Sequence, residues 1–180
     1  METLDCIRTR RSVRKYTSQP IPRETMEQIL SAASWAPSWK NSQTVRYTVV
    51  EDEALLDDIA GTAVMDFAFN AKTIRRCAAL VVLSAVTGIC GYEKDGSFST
   101  DKGDSWEMFD AGIAAQTFCL AAHDLGVGSV ILGIFDAQKI ADLIGLPEGQ
   151  RVTALIALGY PEKDGSAPPR KSIEELSRYI

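Results

Sequence analysis

The sequence predicts a single α+β domain that is rich in helix and contains about four strands. Segments with apolar side chains at helical spacing alternate with short runs of β-branched and apolar residues. With 180 residues and 46% hydrophobic content, the chain is long enough to bury one sizeable core. Taken alone, this alternation of helices and strands is typical of a parallel, doubly wound sheet.

The first half of the chain contains three predicted helices and two predicted strands. Apolar side chains recur at helical spacing in residues 22–35, 53–60 and about 64–76. Residues 45–50 are β-branched and aromatic, which predicts a strand. Residues 79–86 are apolar throughout, as expected of a central strand that is buried on both faces.

A long loop and a long helix follow. Residues 88–103 hold four glycines and mixed charges, and a loop of this length in a compact domain is often a functional lid. The next helix runs to about residue 125, with Ser105 as its N-cap and Gly126 just beyond its end. Because it is apolar around nearly its whole circumference, we expect it to be buried in the core or against another subunit.

Two strands and an extension are predicted in the last part of the chain. The strands are residues 128–132 and 152–159, with a short helix at 137–144 between them. Residues 161–180 are rich in proline and charge and cannot build a core of their own. We expect this extension to wrap along its own subunit or a neighbour.

Composition and charge argue against several classes of function. The protein is acidic, with a net charge of −5, and lacks the basic and aromatic platform of a nucleic-acid-binding module. Neither a signal peptide nor a membrane-spanning stretch is evident, so we expect a cytoplasmic protein. The four cysteines have no C-x-x-C spacing and His123 is the only histidine, which argues against a metal site.

Basic side chains cluster near the N-terminus around Ser12. Arg10, Arg11 and Arg14 belong to this cluster, and residues 1–23 contain six basic groups against two acidic ones. Guanidinium groups bind phosphate bidentately, and a serine hydroxyl adds a further hydrogen bond, so the cluster predicts an anion site. A solvated helix end is the alternative.

A second motif reads Ala-Pro-Ser-Trp-Lys-Asn-Ser-Gln over residues 36–43. Together with the Arg-Arg-Ser-x-Arg motif at residues 10–14, it resembles the FMN-dependent nitroreductase family. The resemblance extends over essentially the whole chain. It implies a mixed, mainly antiparallel sheet wrapped by helices, and an obligate homodimer built around a long central helix. We follow this implication in preference to the parallel sheet.

The resemblance also implies an FMN site. In the family, the positions of Arg10 and Ser12 hold the phosphate and ribityl chain, and the position of Arg14 reaches the pyrimidine edge of the flavin. The loop from residue 37 to 41 crosses from one subunit to cover the flavin of the other, and backbone amides at residues 131–133 lie beside N5 and O4. The implied cofactor-binding residues are Arg10, Arg11, Ser12, Arg14, Pro37, Ser38, Trp39, Asn41, Asn70, Ile131, Leu132, Gly133 and Arg170.

Several of these residues also have structural explanations that involve no cofactor. Residues 37–41 could form a simple turn before a strand, Asn70 could lie on a helix surface, and Arg170 could be one of a solvated basic pair. No side chain in the set is required as a catalytic base, because the cofactor supplies the chemistry.

The function implied is that of an oxidoreductase that uses NADH or NADPH to reduce FMN. The electrons then pass to a nitroaromatic, a quinone or another small acceptor by ping-pong hydride transfer. Other flavin chemistry on the same fold remains an alternative, namely dehalogenation, flavin breakdown or dehydrogenation of a biosynthetic intermediate. A flavin-binding protein without turnover is a further alternative.

Overall fold

The computed structural model describes residues 1–163 and 165–180. Its strands are β1 (Val45–Val50), β2 (Ala79–Val86), β3 (Gly128–Leu132) and β4 (Gln150–Gly159). Its helices are α1 (Thr3–Thr9), α2 (Arg23–Ala33), α3 (Glu53–Thr62), α4 (Ala68–Ile74), α5 (Ser105–Asp124), α6 (Ala137–Ile144) and α7 (Ile173–Leu176), and a 3-10 turn spans Trp39–Asn41.

The four strands form one sheet in the order β1-β2-β4-β3, and each neighbouring pair is antiparallel. Ser12 adds an isolated parallel bridge to Ser129 on β3. The sheet is therefore mixed and mainly antiparallel, as the family resemblance implies. The parallel sheet indicated by alternation alone is wrong, because the apolar spacing of a strand carries no information about its direction.

The core lies on both faces of the sheet. On β2, Leu80 and Val82 face one cluster, which includes side chains of α3, α4 and α6. Val81 and Leu83 face the other cluster, which includes side chains of α2 and α5. The prediction that residues 79–86 are buried on both faces is confirmed, since residues 79–85 are all buried.

Local structure departs from expectation in one helix and at several helix ends. The apolar spacing of the sequence does not predict α1. The helix expected from residue 64 begins only at Ala68, because Met65 and Asp66 have left-handed backbones with φ of 51° and 57°. The N-cap of α5 is Asp104 instead of Ser105. Gly126 does follow the end of α5 as predicted, with a φ of 76° that favours glycine.

The 88–103 loop is folded instead of structureless. Tyr92 and Phe98 form an isolated antiparallel bridge, and their ring centroids lie 4.9 Å apart. Cys90 of this loop is completely buried. Tyr92 and Phe98 therefore pack on each other in this structure.

One face of α5 is buried against the sheet and the opposite face is exposed. The exposed face includes Met108 and Phe109, which are 48% and 58% exposed. Gly112, Ile113, Gln116 and Thr117 continue this face toward the C-terminal end of the helix. None of the helices in the described part of the chain is long and apolar enough to cross a membrane.

Candidate functional site

The basic N-terminal segment is fixed along the outer edge of β3. The Val13 N–H donates to the Ser129 carbonyl at 2.9 Å. Gly128 and Gly159 face each other across β3 and β4, and the absence of side chains there makes room for Val13 and Tyr16. A β-carbon at Gly159 would lie 2.7 Å from the Tyr16 ring, so this close approach requires glycine. The position of Arg14, between Val13 and Tyr16, is thereby determined.

A cavity of about 550 Å³ lies beside this segment and is rich in positive charge. Arg10, Arg11 and Lys163 line it, together with His123 and Ser129. The pKa of His123 is lowered by burial and, next in importance, by the cationic groups of Arg10 and Arg11. The cavity therefore has the electrostatic character of an anion site.

Two buried polar atoms at this cavity have no hydrogen-bond partner among the described residues. They are the Ser129 Oγ and the Arg11 Nε. The Ser129 hydroxyl also interacts with the Cys119 thiol: burial raises the pKa of that thiol, and this interaction acts to lower it. Buried polar groups in folded proteins nearly always have a partner, and an anion in the cavity would supply one to the Arg11 Nε and a further acceptor beside Ser129. A guanidinium and a hydroxyl are also the donors that a phosphate monoester accepts from.

The four predicted residues of the N-terminal motif differ in their surroundings. Arg10 is half-buried at the cavity, while Ser12 and Arg14 are exposed. Arg11 directs its Nη1 at the backbone carbonyls of Arg8 and Arg10, at 2.6 and 2.8 Å, where it caps the end of α1. Part of the Arg11 guanidinium therefore serves local structure.

The edge of β3 continues from the cavity toward residues 131–133. Backbone polar groups point to alternate sides along a strand, and Ser129 points its carbonyl away from β4, toward Val13. The N–H and C=O of Ile131 therefore also point away from β4, to the open edge. The Ile131 side chain is 46% exposed, Leu132 is buried, and nothing lies within 4 Å of where a β-carbon on Gly133 would be. A flat ring can approach this backbone closely.

Asn70 lies at the same end of β3 as Gly133. Its side chain is nearly buried, and its Nδ2 donates to the Ile134 carbonyl at 2.9 Å. This bond ties α4 to the segment that follows β3 and leaves the Oδ1 as an acceptor. The distance along β3 from Ser129 to Gly133 is about 13 Å at about 3.3 Å per residue. The basic cavity and Asn70 thus lie at the two ends of an elongated stretch of surface along β3.

The 37–41 loop lies far from this site in the same chain. The Trp39 N–H donates to the Asp110 carboxylate near the start of α5, whereas His123 of the basic cavity is near its end. Thirteen residues of helix separate Asp110 from His123, which corresponds to about 20 Å. One chain therefore does not bring the 37–41 loop and the Arg10 cavity together.

Arg170 is exposed, and its Nη1 donates to the nearby carbonyls of Pro168 and Pro169 at 3.1 and 3.4 Å. The structure does not bring it to the basic cavity. Its role toward a phosphate stays a prediction.

Sequence reasoning missed three residues that the structure associates with the site. His123 and Lys163 line the basic cavity, although neither belongs to a motif. Asp110 holds the Trp39 amide from a buried position on α5. Asp110 could have been noticed from the sequence, because a carboxylate in an apolar helical run is rarely buried without a partner.

Comparisons with known proteins show the family of this chain. The family model of the Nitroreductase family matches residues 7–160. The chain belongs to the nitroreductase family. The resemblance inferred from the motifs at residues 10–14 and 36–43 is therefore confirmed.

Individual relatives match over most of the chain. The NADPH-flavin oxidoreductase of Vibrio harveyi is 30% identical over 93% of this chain and 69% of its own length. The FMN reductase [NAD(P)H] of Bacillus subtilis is 28% identical over 98% of this chain and 72% of its own. A solved nitroreductase family protein from Clostridium novyi superposes with a TM-score of 0.77 at 30% identity, covering 90% of this chain and 86% of that one.

Proposed function

We propose that this protein binds FMN along the edge of β3 and uses NAD(P)H to reduce a flat, apolar acceptor such as a nitroaromatic or a quinone. Membership of the nitroreductase family supports NAD(P)H-dependent flavin oxidoreductase chemistry. The observation that carries the proposal is the elongated site itself, with phosphate-binding groups at one end of β3 and an exposed backbone edge at the other.

The phosphate end of the site is formed by Arg10, Ser12 and the buried Ser129 hydroxyl. The Ser129 hydroxyl and the unpartnered Arg11 Nε, together with the cationic lining, match the needs of a phosphate monoester. In the proposed site Arg10 supplies charge, while Ser12 and Ser129 supply neutral hydrogen bonds. Lys163 adds a further cation at the rim of the cavity.

The ring end of the site is formed by the backbone of Ile131 and Gly133 and by Asn70. The open space over Gly133 and the free Oδ1 of Asn70 support the approach of a ring with both donors and acceptors at its edge. FMN, when bound, accepts a hydride from NAD(P)H and passes electrons to the acceptor. The exposed guanidinium of Arg14 provides a positive charge that would stabilise negative charge on the reduced ring.

Four exposed apolar side chains lie near Asn70 and the end of β3 in the sequence or the fold. Phe67, Phe69, Ile131 and Ile134 are 36%, 74%, 46% and 44% exposed, and Asn70 is bonded to the Ile134 carbonyl. The Phe67 and Phe69 rings lie 5.6 Å apart. Such a rim favours a planar, weakly polar acceptor over a charged one.

The complete site requires a second copy of the chain. The exposed face of α5 is lined by Met108, Phe109 and Gly112 and has the apolar character of a permanent interface. Two α5 helices that pack antiparallel about a two-fold axis would bring the 37–41 loop of one subunit to the basic cavity of the other. This arrangement accounts for the separation of about 20 Å between them within one chain.

The test is to release and identify the chromophore of the purified protein, and then to titrate the protein with NADH and NADPH without oxygen. We expect FMN as the chromophore, loss of its visible absorbance on reduction, and recovery of absorbance when a quinone or a nitroaromatic is added. A colourless protein that does not take up added FMN would refute the proposal. FMN that is reduced but transfers no electrons to either acceptor would refute the acceptor class only.

A further inference from the structure

The 37–41 loop has a backbone conformation that requires external support. Lys40 and Asn41 have φ of 46° and 54°, and Gln43 has φ of 49°. These left-handed values are unfavourable for residues with a β-carbon, and they persist only where the surroundings impose them. Just after the loop, the Gln43 N–H donates to the Ser38 Oγ at 3.0 Å, which closes the turn but does not attach it to the rest of the protein.

Asp110 attaches the loop to α5. Its side chain is 3% exposed, and its Oδ2 accepts the N–H of Trp39 at 2.8 Å, directly before the strained Lys40. A hydrogen bond from a backbone amide to a buried carboxylate is among the stronger bonds that a protein forms. The Trp39 ring also packs on Trp106 of α5, with centroids 4.7 Å apart.

The same carboxylate oxygen holds the 88–103 loop. The Cys90 thiol lies 3.1 Å from the Asp110 Oδ2 and is completely buried. Burial, followed by the hydrogen bond to Asp110, raises the pKa of Cys90 to about 12, so the sulfur keeps its proton and donates it. One oxygen therefore joins α5, the 37–41 loop and the 88–103 loop. The Lys40–Glu93 ion pair, at 3.1 Å, joins the two loops at the surface but is exposed to solvent and weaker.

We propose that Asp110 is a positioning residue for flavin binding, which acts through the Trp39 amide to hold the 37–41 loop in the shape that covers the flavin of the partner subunit. This inference rests on the proposed function, because it takes the 37–41 loop as part of the FMN site. Asp110 itself touches neither the cofactor nor the acceptor.

Glu107 provides a matched control, since it lies three residues earlier on the same helix and is 1% exposed. Its carboxylate accepts the Gly88 N–H at 2.9 Å and pairs with Arg151 at 3.0 Å. It therefore supports the start of the 88–103 loop and β4. None of its hydrogen bonds reaches the 37–41 loop. A general loss of stability would affect Glu107 and Asp110 variants alike, whereas loss of loop positioning would affect only Asp110 variants.

The experiment compares Asp110→Ala, Asp110→Asn and Glu107→Gln by FMN titration and by amide hydrogen exchange without flavin. We expect Asp110→Ala to weaken FMN binding by about tenfold or more, which corresponds to about 1.4 kcal/mol. Asp110→Asn keeps an oxygen acceptor and should lie between Asp110→Ala and the wild type, with its fold intact. The Trp39 amide should exchange faster in Asp110→Ala, and the Gly88 amide in Glu107→Gln, whose FMN affinity should stay at the wild-type value.

Two results would overturn the inference. One is wild-type FMN affinity in both Asp110 variants although Trp39 exchanges faster. The other is an equal loss of affinity in Glu107→Gln. If the wild-type protein binds no FMN, the proposed function fails; if it binds FMN and the Asp110 variants bind equally well, only the positioning role fails.

Discussion

Arg14 has an exposed side chain on a backbone that its neighbours hold in place. Val13 and Tyr16, on either side of it, are fixed against β3 and β4 by the Val13 amide and by the Tyr16 hydroxyl, which donates to Ala157 at 3.1 Å. Arg14 itself remains exposed. Its backbone is therefore preorganised, while its charge is available to a ligand.

Replacing Arg14 by alanine should weaken FMN binding and make the flavin harder to reduce. A fixed cation next to the ring stabilises the reduced, negatively charged form more than the oxidised form, so its loss lowers the midpoint potential. The loss in affinity should be about tenfold, as for one charge-assisted hydrogen bond. Isothermal titration and a spectroscopic redox titration measure the two effects.

Lys15→Ala is the control for Arg14→Ala. Lys15 is the adjacent cation but lines a separate groove near Glu51 and Arg75. It should change neither the affinity nor the potential. Equal effects of the two variants would mean that Arg14 acts only through overall charge.

The cysteines should be unreactive in the folded protein. Burial raises the pKa of Cys77 and of Cys90 to about 12, and it also raises the pKa of Cys6 and Cys119. Since the thiolate is the reactive form, a thiol reagent at pH 8 should modify none of the four quickly before unfolding and all four afterwards. Rapid modification of Cys90 in the native protein would contradict its burial.

The same shifts imply that stability falls at high pH. A thiol whose pKa is raised by folding contributes fully below its unfolded value of 9.0. Above that value the unfolded chain releases thiol protons that the native protein retains. The free energy of unfolding should therefore decrease from about pH 9 toward pH 12, as denaturant titrations at several pH values would show. Serine at both Cys77 and Cys90 should make this decrease smaller.

At the scale of elements, the paired glycines on β3 and β4 connect the fold to the site. Gly128 and Gly159 are register partners, and their lack of side chains lets the N-terminal segment pack on the sheet. In the sequence they are two ordinary glycines in strands. Only the packing of Val13 and Tyr16 on them shows why positions 128 and 159 do not accommodate a larger residue.

Gly159→Ala should destabilise the fold and weaken FMN binding together. The added methyl group would collide with Tyr16 and displace the segment that carries Arg10 and Arg14. Overpacking of this kind costs about 1–3 kcal/mol of unfolding free energy, which chemical denaturation can measure.

The comparison for Gly159→Ala is Gly61→Ala on α3. Gly61 is exposed, and the nearest side-chain atom to a methyl group added there would be the Arg75 Nη2, at 3.6 Å. Alanine at this position should increase stability by about 0.5–1 kcal/mol and leave FMN affinity unchanged. If Gly159→Ala behaved like Gly61→Ala, the close packing of Tyr16 would not limit residue 159.

At the scale of the whole molecule, the division of the site between subunits can be tested by complementation. One subunit carries Arg10→Ala and Arg14→Ala, and the other carries Asn41→Ala. If each site takes its arginines from one subunit and its loop from the other, a mixed dimer has one doubly altered site and one intact site. We expect each altered homodimer to bind FMN weakly, and the mixed dimer to regain about half of the wild-type FMN content.

The mixed dimer is isolated through two different affinity tags on coexpressed subunits. Its FMN content is compared with that of both altered homodimers prepared in the same way. No recovery in the mixed dimer would place both groups of residues at a site within one chain. A stable monomer that holds FMN would exclude the shared site altogether.

Steady-state kinetics should follow a ping-pong pattern. Since NAD(P)H and the acceptor must both reach the ring end of one site, between the β3 edge and Asn70, they would occupy it in turn. Double-reciprocal plots at several acceptor concentrations should be parallel. Intersecting lines with a demonstrable ternary complex would show that donor and acceptor occupy separate places.

The sequence by itself determined the location of most elements and the family to which the chain belongs. Strands at 45–50 and 79–86 and the long helix after residue 105 could be predicted because apolar spacing is a local property of the chain. The motifs around Ser12 and Asn41 are also local, and they were sufficient for the family resemblance.

Only the tertiary structure decided how these parts are arranged. The antiparallel order β1-β2-β4-β3, the glycine pair beneath Tyr16 and the role of Asp110 depend on contacts between residues that are far apart in the sequence. Local spacing encodes which face of a segment is apolar, but not the direction of a strand or the partner of a buried carboxylate. For the same reason, only the fold shows that the 37–41 loop is attached near the start of α5 and the basic cavity lies near its end, about 20 Å apart along the helix.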